Sequence, residues 1–188
     1  IISLKVDTTG FIPTVSLKVQ MYTSSHFITE SMPKDGDLIN LFIRARNDAF
    51  KPIRNDYLIK SVSTTGGDPE GGGMVVSMQG ELYVPGIYDD IIQAYEGSSY
   101  EVMQAIAKEL KLGFASNETS TDDAQVWLTA NDTRYNLLHS IAASSLKDEK
   151  SFFHMFINIY YNINFININN QFSDENAVDD GILDILIS

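Results

Sequence analysis

Hydrophobic and polar residues alternate along much of the first ninety positions, with the period of two that is typical of half-buried strands. The clearest case runs from Val15 to Met21, where Val, Leu, Val and Met alternate with Ser, Lys and Gln. The same pattern returns after Lys34–Asp37, whose Gly and Asp residues suit a tight turn. In all, the pattern predicts four strands, at 15–22, 38–45, 57–63 and 74–84.

A glycine-rich segment separates the last two of these strands. Residues 64–73 contain five glycines, and glycine has no side chain with which to fill a core. We therefore expect a mobile hairpin tip at this point.

The hydrophobic period changes after Gly97. Ser98 and Glu101 have the spacing of a capping box. Apolar residues then recur at helical intervals until Gly113, and a glycine is typical of a helix end. This pattern predicts an amphipathic helix over 99–112.

A second helical pattern begins near Asp132 or Thr133. The apolar positions of its predicted face are Tyr135, Leu138, Ile141, Ala142 and Leu146. The segment between the helices, 114–131, is polar apart from one short apolar run. That run is Val126, Trp127 and Leu128, which we expect to anchor the segment to a helix or a sheet.

Residues 152–172 are rich in aromatic side chains set among repeated Ile-Asn steps. Aromatic and β-branched residues favour strands, so we predict two short strands within 157–167, with the turn near Tyr161-Asn162. A low-complexity interpretation stays open, since Asn-rich tracts can be disordered or prone to aggregation. The last residues, 173–188, are acidic with a late apolar run, and we expect a strand, a frayed end or a linker cut short.

A strand-rich beginning followed by helices and further strands is typical of an α+β fold. The length of 188 residues suits one large domain or two small ones. We predict a β-rich domain over 1–95, a small α/β domain with two amphipathic helices and aromatic-rich strands over 96–172, and a C-terminal segment over 173–188. The chain lacks an initiating Met, so we expect it to be part of a longer protein.

The charge is strongly acidic and unevenly distributed. The formal net charge is −12, which argues against DNA or an anionic membrane as a general partner. Residues 1–60 carry a net +2, so the remaining residues carry −14. No apolar run approaches the roughly 20 residues that a helix needs to span a bilayer, and we expect no membrane insertion.

Candidate chemistry is sparse. The chain has no cysteine, and its three histidines, His26, His139 and His154, lie far apart and outside any metal-spaced motif. The sequence also lacks the phosphate-loop motif and the nucleophile-elbow motif. We therefore predict no catalytic residue, no cofactor and no metal ligand.

Three acidic pairs are the remaining candidates for glycoside hydrolysis, namely Asp89-Asp90, Asp122-Asp123 and Asp148-Glu149. Neighbouring acids point to opposite sides of a strand, or about 100° apart on a helix, so they rarely form the opposed pair that hydrolysis needs. Asp35–Asp37 and Asp179-Asp180 lack the long alternating loop of oxygen ligands that binds calcium in an EF-hand.

One basic cluster lies in the N-terminal third. It consists of Arg44, Arg46, Lys51, Arg54 and Lys60. Such a patch suits an acidic partner surface, including the acidic part of another copy of the chain. The polar face of an antiparallel sheet explains it equally well. Our candidate partner-docking residues are Arg44, Arg46, Lys51 and Arg54.

Several stretches follow one another in a characteristic order. The β-rich part contains GDLINLFI at 36–43 and KPIRNDYLI at 51–59, followed by SSYEVMQAIAKELKLGF at 98–114. The series continues with Trp127-Leu128, a Thr-x-x-x-Leu-Leu helix at 133–138, and Lys150–Phe153 leading into the aromatic strands. Over residues 10–172 this order resembles the baseplate hub proteins of contractile-tailed bacteriophages and their relatives in contractile injection systems.

The resemblance implies both a fold and a role. In that family a β-barrel related to the tail-tube subunit precedes a mixed α/β domain, and a second barrel follows later. Residues 1–95 would then be the first barrel, complete or split, and 96–172 the α/β domain; the second barrel has no counterpart here. The implied role is a homo-oligomeric ring that binds the tail tube and the spike and lets DNA pass without specific binding. Such a protein belongs to the virion and is assembled in the host cytoplasm.

A barrel that closes with neighbouring subunits needs paired edge strands. We therefore predict that one or more of the four N-terminal strands pairs between subunits. If the acidic residues after Ser61 line the channel of the ring, their repulsion of phosphate would let DNA pass without sticking.

Two other functions stay open. A tail-associated cell-wall or polysaccharide hydrolase would work through an acidic pair, with Asp122-Asp123 as the pair to test. A carbohydrate-binding adhesin would use surface Tyr residues and Trp127, because aromatic rings suit sugars, although Trp127 also suits a core anchor.

Overall fold

The computed structural model describes residues 1–21, 32–44, 51–66 and 73–171. Strands predominate, and the fold is mixed α+β, as predicted. The chain divides into two compact units. The first comprises Ile1–Val84 with Ile157–Tyr161, and the second comprises Pro85–Phe156 with the residues from Asn162 onwards.

Several sequence predictions concern residues outside these described ranges. They involve His26, Arg46, positions 67–72 of the glycine-rich segment, and residues 173–188 with Asp179-Asp180. They stay predictions. The same holds for the domain limits 1–95, 96–172 and 173–188.

The first unit is a five-stranded antiparallel sheet that curls into a half-barrel. Its strands are β1 (Ser3–Asp7), β2 (Thr14–Met21), β3 (Leu38–Ile43), β4 (Ile53–Gly66) and β5 (Met74–Leu82). They lie in the order β1-β2-β5-β4-β3, which leaves β1 and β3 at the two edges. Within the described part of the chain, the predicted barrel is therefore an open sheet.

The alternation of apolar and polar residues along these strands places the apolar side chains on one face of the sheet, where they form a core. The buried cluster of the core is Ile59, Met74, Val76 and Met78, with Leu17, Val19, Met21, Met32, Ile39 and Val62 packed against it half-buried. Methionine side chains are flexible enough to fill irregular gaps between branched neighbours. Such a core suits the inside of a curled sheet.

β4 is much longer than the predicted strand at 57–63. Its register against β5 shifts between Ile59 and Ser61, which marks a bulge at Lys60. On the facing strand, a Cβ at Gly80 would lie 3.1 Å from the Leu58 carbonyl oxygen, so the close approach of β4 and β5 depends on this glycine.

The second unit combines a two-stranded ribbon, a three-stranded sheet and helices. In chain order its elements are β6 (Asp90–Gly97), α1 (Ser99–Glu109), β7 (Gly113–Ser116), β8 (Gln125–Thr133), α2 (Arg134–Ser144), β9 (Phe153–Ile157), β10 (Asn162–Asn167) and the single turn α3 (Ile168–Gln171). β6 and β8 pair antiparallel to form the ribbon. The sheet has the order β7-β10-β9, with β10 parallel to β7.

Both long helices begin where the sequence predicts. The Ser98 hydroxyl accepts a hydrogen bond from the Glu101 backbone N–H, and the Glu101 carboxylate accepts one from the Ser98 N–H. Thr133 caps α2 by accepting a hydrogen bond from the Asn136 N–H at 3.2 Å. These caps satisfy backbone donors that a helix start leaves unpaired.

The two helices end earlier than predicted. Lys111 takes a left-handed conformation at φ 57°, and the Leu112 N–H donates back to the Ala107 carbonyl at 2.8 Å. This is the hydrogen-bond pattern of a Schellman motif, which ends α1 at Glu109. Leu146 was predicted on the face of the second helix, but it lies beyond the helix end and is 49% exposed.

The two predicted aromatic strands are present: β10 lies where it was predicted, whereas β9 lies further toward the N-terminus. The turn between them spans Asn158–Tyr161, close to the predicted position near Tyr161-Asn162: the Tyr161 N–H donates to the Asn158 carbonyl at 3.1 Å, and Tyr161 has φ 58°. The rings of Phe153 and Phe165 stack with their centroids 4.5 Å apart. Because these aromatic side chains are buried, the low-complexity interpretation is wrong for 153–167.

Candidate functional site

The acidic pairs predicted as hydrolase candidates are partly engaged in backbone hydrogen bonds. Asp123 accepts from the Ser99 N–H and from the Leu146 N–H, each at 2.9 Å. Burial alone would raise the pKa of Asp123, but these hydrogen bonds lower it below its usual value. Asp148 accepts from the Lys150 N–H at 2.8 Å. Carboxylates held in this way anchor loops and do not form an opposed acid and base.

The other candidate side chains are also accounted for structurally. Trp127 is buried, and its indole N–H donates to the Gly97 carbonyl at 3.1 Å, so its ring serves as a core anchor and cannot stack on a sugar. The His139 ring lies 4.7 Å from the Tyr135 ring. Burial first, and then the charge of His154, lower the pKa of His139. Across the described ranges, no three His, Asp or Glu side chains lie close enough to hold a metal ion.

An ion-pair network lies beside the ribbon and was not expected from the sequence. Glu109 accepts a hydrogen bond from the Tyr95 hydroxyl at 2.9 Å, and its carboxylate lies 3.5 Å from Arg134 Nε. Burial, and then the hydrogen bond to Glu109, raise the pKa of Tyr95 to about 12. The Arg134 guanidinium also donates to the Gly86 carbonyl at 3.2 Å. A neutral tyrosine so held supports the packing of β6 on α1.

A groove of about 690 Å³ runs beside α1 and was also missed. Its lining residues are Glu101, Gln104, Ala105, Ala107, Lys108, Lys111, Leu112 and Phe114. The Ser98 backbone and hydroxyl groups lower the pKa of Glu101 by hydrogen bonding, so this carboxylate is committed to capping the helix. No group of acid, base and nucleophile emerges among the residues of the groove.

The predicted docking residues that the structure describes lie together at one end of the β3–β4 pair. Ile43 pairs with Ile53, which brings Arg44 and Lys51 to the same end. Lys51 Nζ lies 5.2 Å from the centre of the Tyr160 ring. Lys60 is further along β4, with its Nζ 3.8 Å from a Glu81 oxygen.

The outward surface of the β3–β4 pair, here called the β3 face, combines apolar and charged side chains. Its members are Leu38, Asn40 and Phe42 of β3 with Arg54, Asp56 and Leu58 of β4, which are paired across the two strands. Leu38 and Phe42 are each 52% exposed. The Arg54 guanidinium lies over the Phe42 ring at 5.1 Å, and the Asn40 amide donates to Asp56 at 2.7 Å. This surface sits on an edge strand.

A second exposed surface, here called the ribbon face, lies on the outward side of β6 and β8. Its apolar members are Ile92, Ala94, Val126, Leu128 and Ala130. Ile92 is 81% exposed, Leu128 77% and Val126 57%. Contrary to the prediction, the run 126–128 does not anchor its segment as a whole; only Trp127 does so, because alternation along β8 turns its two neighbours outward.

Comparisons with known proteins show the fold. No protein-family model matches the sequence, and no curated protein matches it. The structure is similar to the 43 kDa tail protein of prophage MuSo2 from Shewanella oneidensis, with a TM-score of 0.56 at 9% identity over 86% of this chain and 47% of that chain. A tail protein from Neisseria meningitidis MC58 is similar at a TM-score of 0.44, also at 9% identity, over 86% of this chain and 44% of that one. The chain thus spans less than half the length of either protein.

Proposed function

We propose that this chain is a structural subunit of a phage tail baseplate hub, where copies of it form a ring that joins the tail tube to the central spike. The observation that carries the proposal is the fold that it shares with a prophage tail protein over 86% of its length. The segment order read from the sequence supports the same family. In this proposal the protein belongs to the virion tail and is assembled in the host cytoplasm.

The open half-barrel supports assembly into a ring. Among the described strands, β1 and β3 each pair with one neighbour only, and an unpaired edge is a template for another strand. β5 pairs with a neighbour on both sides along its length, whereas β1 covers only Thr14–Lys18 of β2, so β5 is the predicted strand least suited to pairing between subunits. Of the predicted strands, β3 is the one that lies at an edge of the described sheet, and β1 is an edge that the sequence pattern did not reveal.

The proposed role needs no catalysis. Asp123 and Asp148 accept hydrogen bonds from backbone N–H groups, and Trp127 is buried, so neither the hydrolase nor the Trp127-based adhesin gains support. None of the described helices is long and apolar enough to cross a bilayer. Partners of the proposed ring are the tube and spike proteins, with DNA only in transit.

The test is assembly of the full chain. We expect native mass spectrometry and electron microscopy to show a closed homo-oligomeric ring. We further expect this ring to bind the tube and spike proteins encoded beside its gene in a pull-down. A protein that stays monomeric at high concentration, or a ring that binds neither neighbour, would overturn the proposal.

A further inference from the structure

The ribbon face reverses the usual polarity of a solvent-facing strand surface. Antiparallel strands with one face in the core normally turn polar side chains to water. Here Ile92 faces Ala130 across the ribbon and Ala94 faces Leu128, while the charged residues Asp90 and Glu96 lie at its ends. Contiguous apolar surface of this kind marks an interaction site. The ribbon face therefore calls for a partner with an apolar centre.

The charge around the ribbon face restricts the chemistry of that partner. Asp90 and Glu96 lie near opposite ends of β6, and both are exposed. Neither β6 nor β8 contains a lysine or an arginine. Complementary interfaces juxtapose opposite charges, and like charges brought together in one disfavour association. The partner surface should therefore carry cations around its apolar centre.

The same chain supplies a surface of that description. On the β3 face, Leu38 and Phe42 are half-exposed, and Arg54 lies against Phe42. Arg44 and Lys51 add positive charge at the same end of the strand pair. The one carboxylate on this face, Asp56, already accepts a hydrogen bond from Asn40, which satisfies part of its acceptor capacity.

We infer that the ribbon face of one copy docks on the β3 face of the next copy. This inference rests on the proposed ring and adds a side-chain contact between two faces to the pairing of edge strands proposed for it. Because the two faces differ, the contact is heterologous, and its repetition closes a ring or extends a filament. It assigns roles to Leu128 and Phe42 as apolar anchors, and to Glu96 and Arg54 as a matched charge pair.

Two single substitutions in the full chain test the inference by complementation. Leu128→Glu removes the ribbon face and leaves the β3 face intact, whereas Phe42→Glu does the reverse. We expect each variant alone to sediment as a monomer, with its self-association weakened by about 30-fold or more, since buried anchors dominate interface energies. An equimolar mixture should form a heterodimer, because one intact face remains on each chain.

A matched control and a charge exchange accompany this test. Leu146 is also an exposed leucine of the second unit but lies on neither face, so Leu146→Glu should assemble like the unsubstituted chain. Glu96→Lys or Arg54→Glu alone should weaken assembly, and the two together in one chain should restore it. Far-UV circular dichroism of every variant checks that it is folded.

The outcomes separate this inference from the hub proposal. Assembly of Leu128→Glu as in the unsubstituted chain, or no heterodimer in the mixture of folded variants, overturns the inference alone. Assembly of Phe42→Glu but not Leu128→Glu would indicate contact between two ribbon faces, which also overturns it. If the heterodimer forms but the unsubstituted ring binds neither tube nor spike proteins, the inference stands and the hub proposal fails.

Discussion

At the scale of single residues, the second unit is tied together by Glu118. Its side chain is 4% exposed and pairs with the Lys147 ammonium. The carboxylate also accepts hydrogen bonds from the Asn167 and Asn170 amides. A buried charge is tolerated only when it is paired and hydrogen-bonded, so this carboxylate joins the loop after β7 to β10, α3 and the segment after α2.

Replacing Glu118 by alanine should destabilise the protein strongly. The substitution leaves amide donors and an ammonium without their acceptor, and we expect a loss of about 2–3 kcal/mol in the free energy of unfolding. Urea denaturation followed by circular dichroism measures it. The exposed Glu149 provides the control, since Glu149→Ala should change stability by no more than about 0.5 kcal/mol. Equal effects of the two substitutions would contradict the role of Glu118.

Asp123 should make stability depend on pH in the acid range. Its folded-state pKa is lowered from the ordinary 3.8, so the stabilisation is complete above the ordinary pKa and is lost as pH falls through the folded-state pKa. Asp123→Asn should be less stable at neutral pH, and it should lose less of its remaining stability between about pH 5 and pH 2. Urea titrations across this range test the difference. The exposed neighbour gives the control, because Asp122→Asn should keep the original acid profile.

At the scale of secondary-structure elements, alternation along β8 gives the two sides of the strand different roles: one side packs inward and the other forms an exposed surface. Trp127 and Thr129 point inward and are buried, and Thr129 accepts a hydrogen bond from the Gln93 N–H at 3.0 Å. Their neighbours on β8 form the ribbon face. An isolated two-stranded hairpin is marginally stable in water, so the inward side chains carry the stability of the ribbon.

Substitutions on the two sides of β8 should therefore differ greatly in their effect on the free energy of unfolding. Trp127→Ala should lower the free energy of unfolding by about 3 kcal/mol, because it opens a cavity and leaves the Gly97 carbonyl without its donor. Val126→Ala should change it by less than about 0.5 kcal/mol. Both are measured by chemical denaturation at concentrations where the chain is monomeric. A large loss from Val126→Ala would show that this side chain is buried.

Elements with a clear period could be predicted from the sequence, and the others could not. The capping box of Ser98 and Glu101 was identified, and the start of α2 was placed near Asp132 or Thr133, because the start of a helix has a local signal. β8 was missed because Val126, Trp127 and Leu128 are all apolar, which hides the alternation that only burial reveals. α1 was predicted too long because the left-handed position belongs to Lys111, whereas Gly113 serves another purpose: a Cβ there would overlap the Asn162 side chain.

Only part of the candidate site could be predicted, because residue types can be read from the sequence but strand pairing cannot. Basic residues of the cluster were found from composition, but their association with Phe42 and Leu38 depends on the register of β3 and β4. The ribbon face depends on the pairing of strands that are about 35 residues apart in sequence. Neither pairing has a local signal in the chain.

At the scale of the whole molecule, charge is the property most relevant to the proposed role. The net charge of −12 and the sequence pI of about 4.5 disfavour binding to phosphate backbones, which depends on lysine and arginine. The cations that do exist are concentrated in residues 1–60. A surface of this kind is compatible with DNA passing nearby without being held.

We expect the full chain to show no affinity for duplex DNA at physiological salt. Fluorescence anisotropy of a labelled duplex should stay constant as protein is added, and lowering the salt should not produce binding of the strongly salt-dependent kind. Binding that weakens steeply as salt increases would contradict this expectation. In the assembled ring, carboxylates found on the outer surface would remove the acidic-channel hypothesis and leave the charge as ordinary solvation.

The first unit is made of two separate pieces of the chain, and this limits how its gene can be divided. Ile157 donates its backbone N–H to the Phe11 carbonyl at 2.7 Å, and the Tyr161 hydroxyl accepts from the Asp56 N–H at 3.3 Å. A recombination event between codons 84 and 85 would therefore deprive the half-barrel of residues 157–161. Exchange of modules between related genomes should instead preserve this whole stretch, so that the two units are inherited as one cassette.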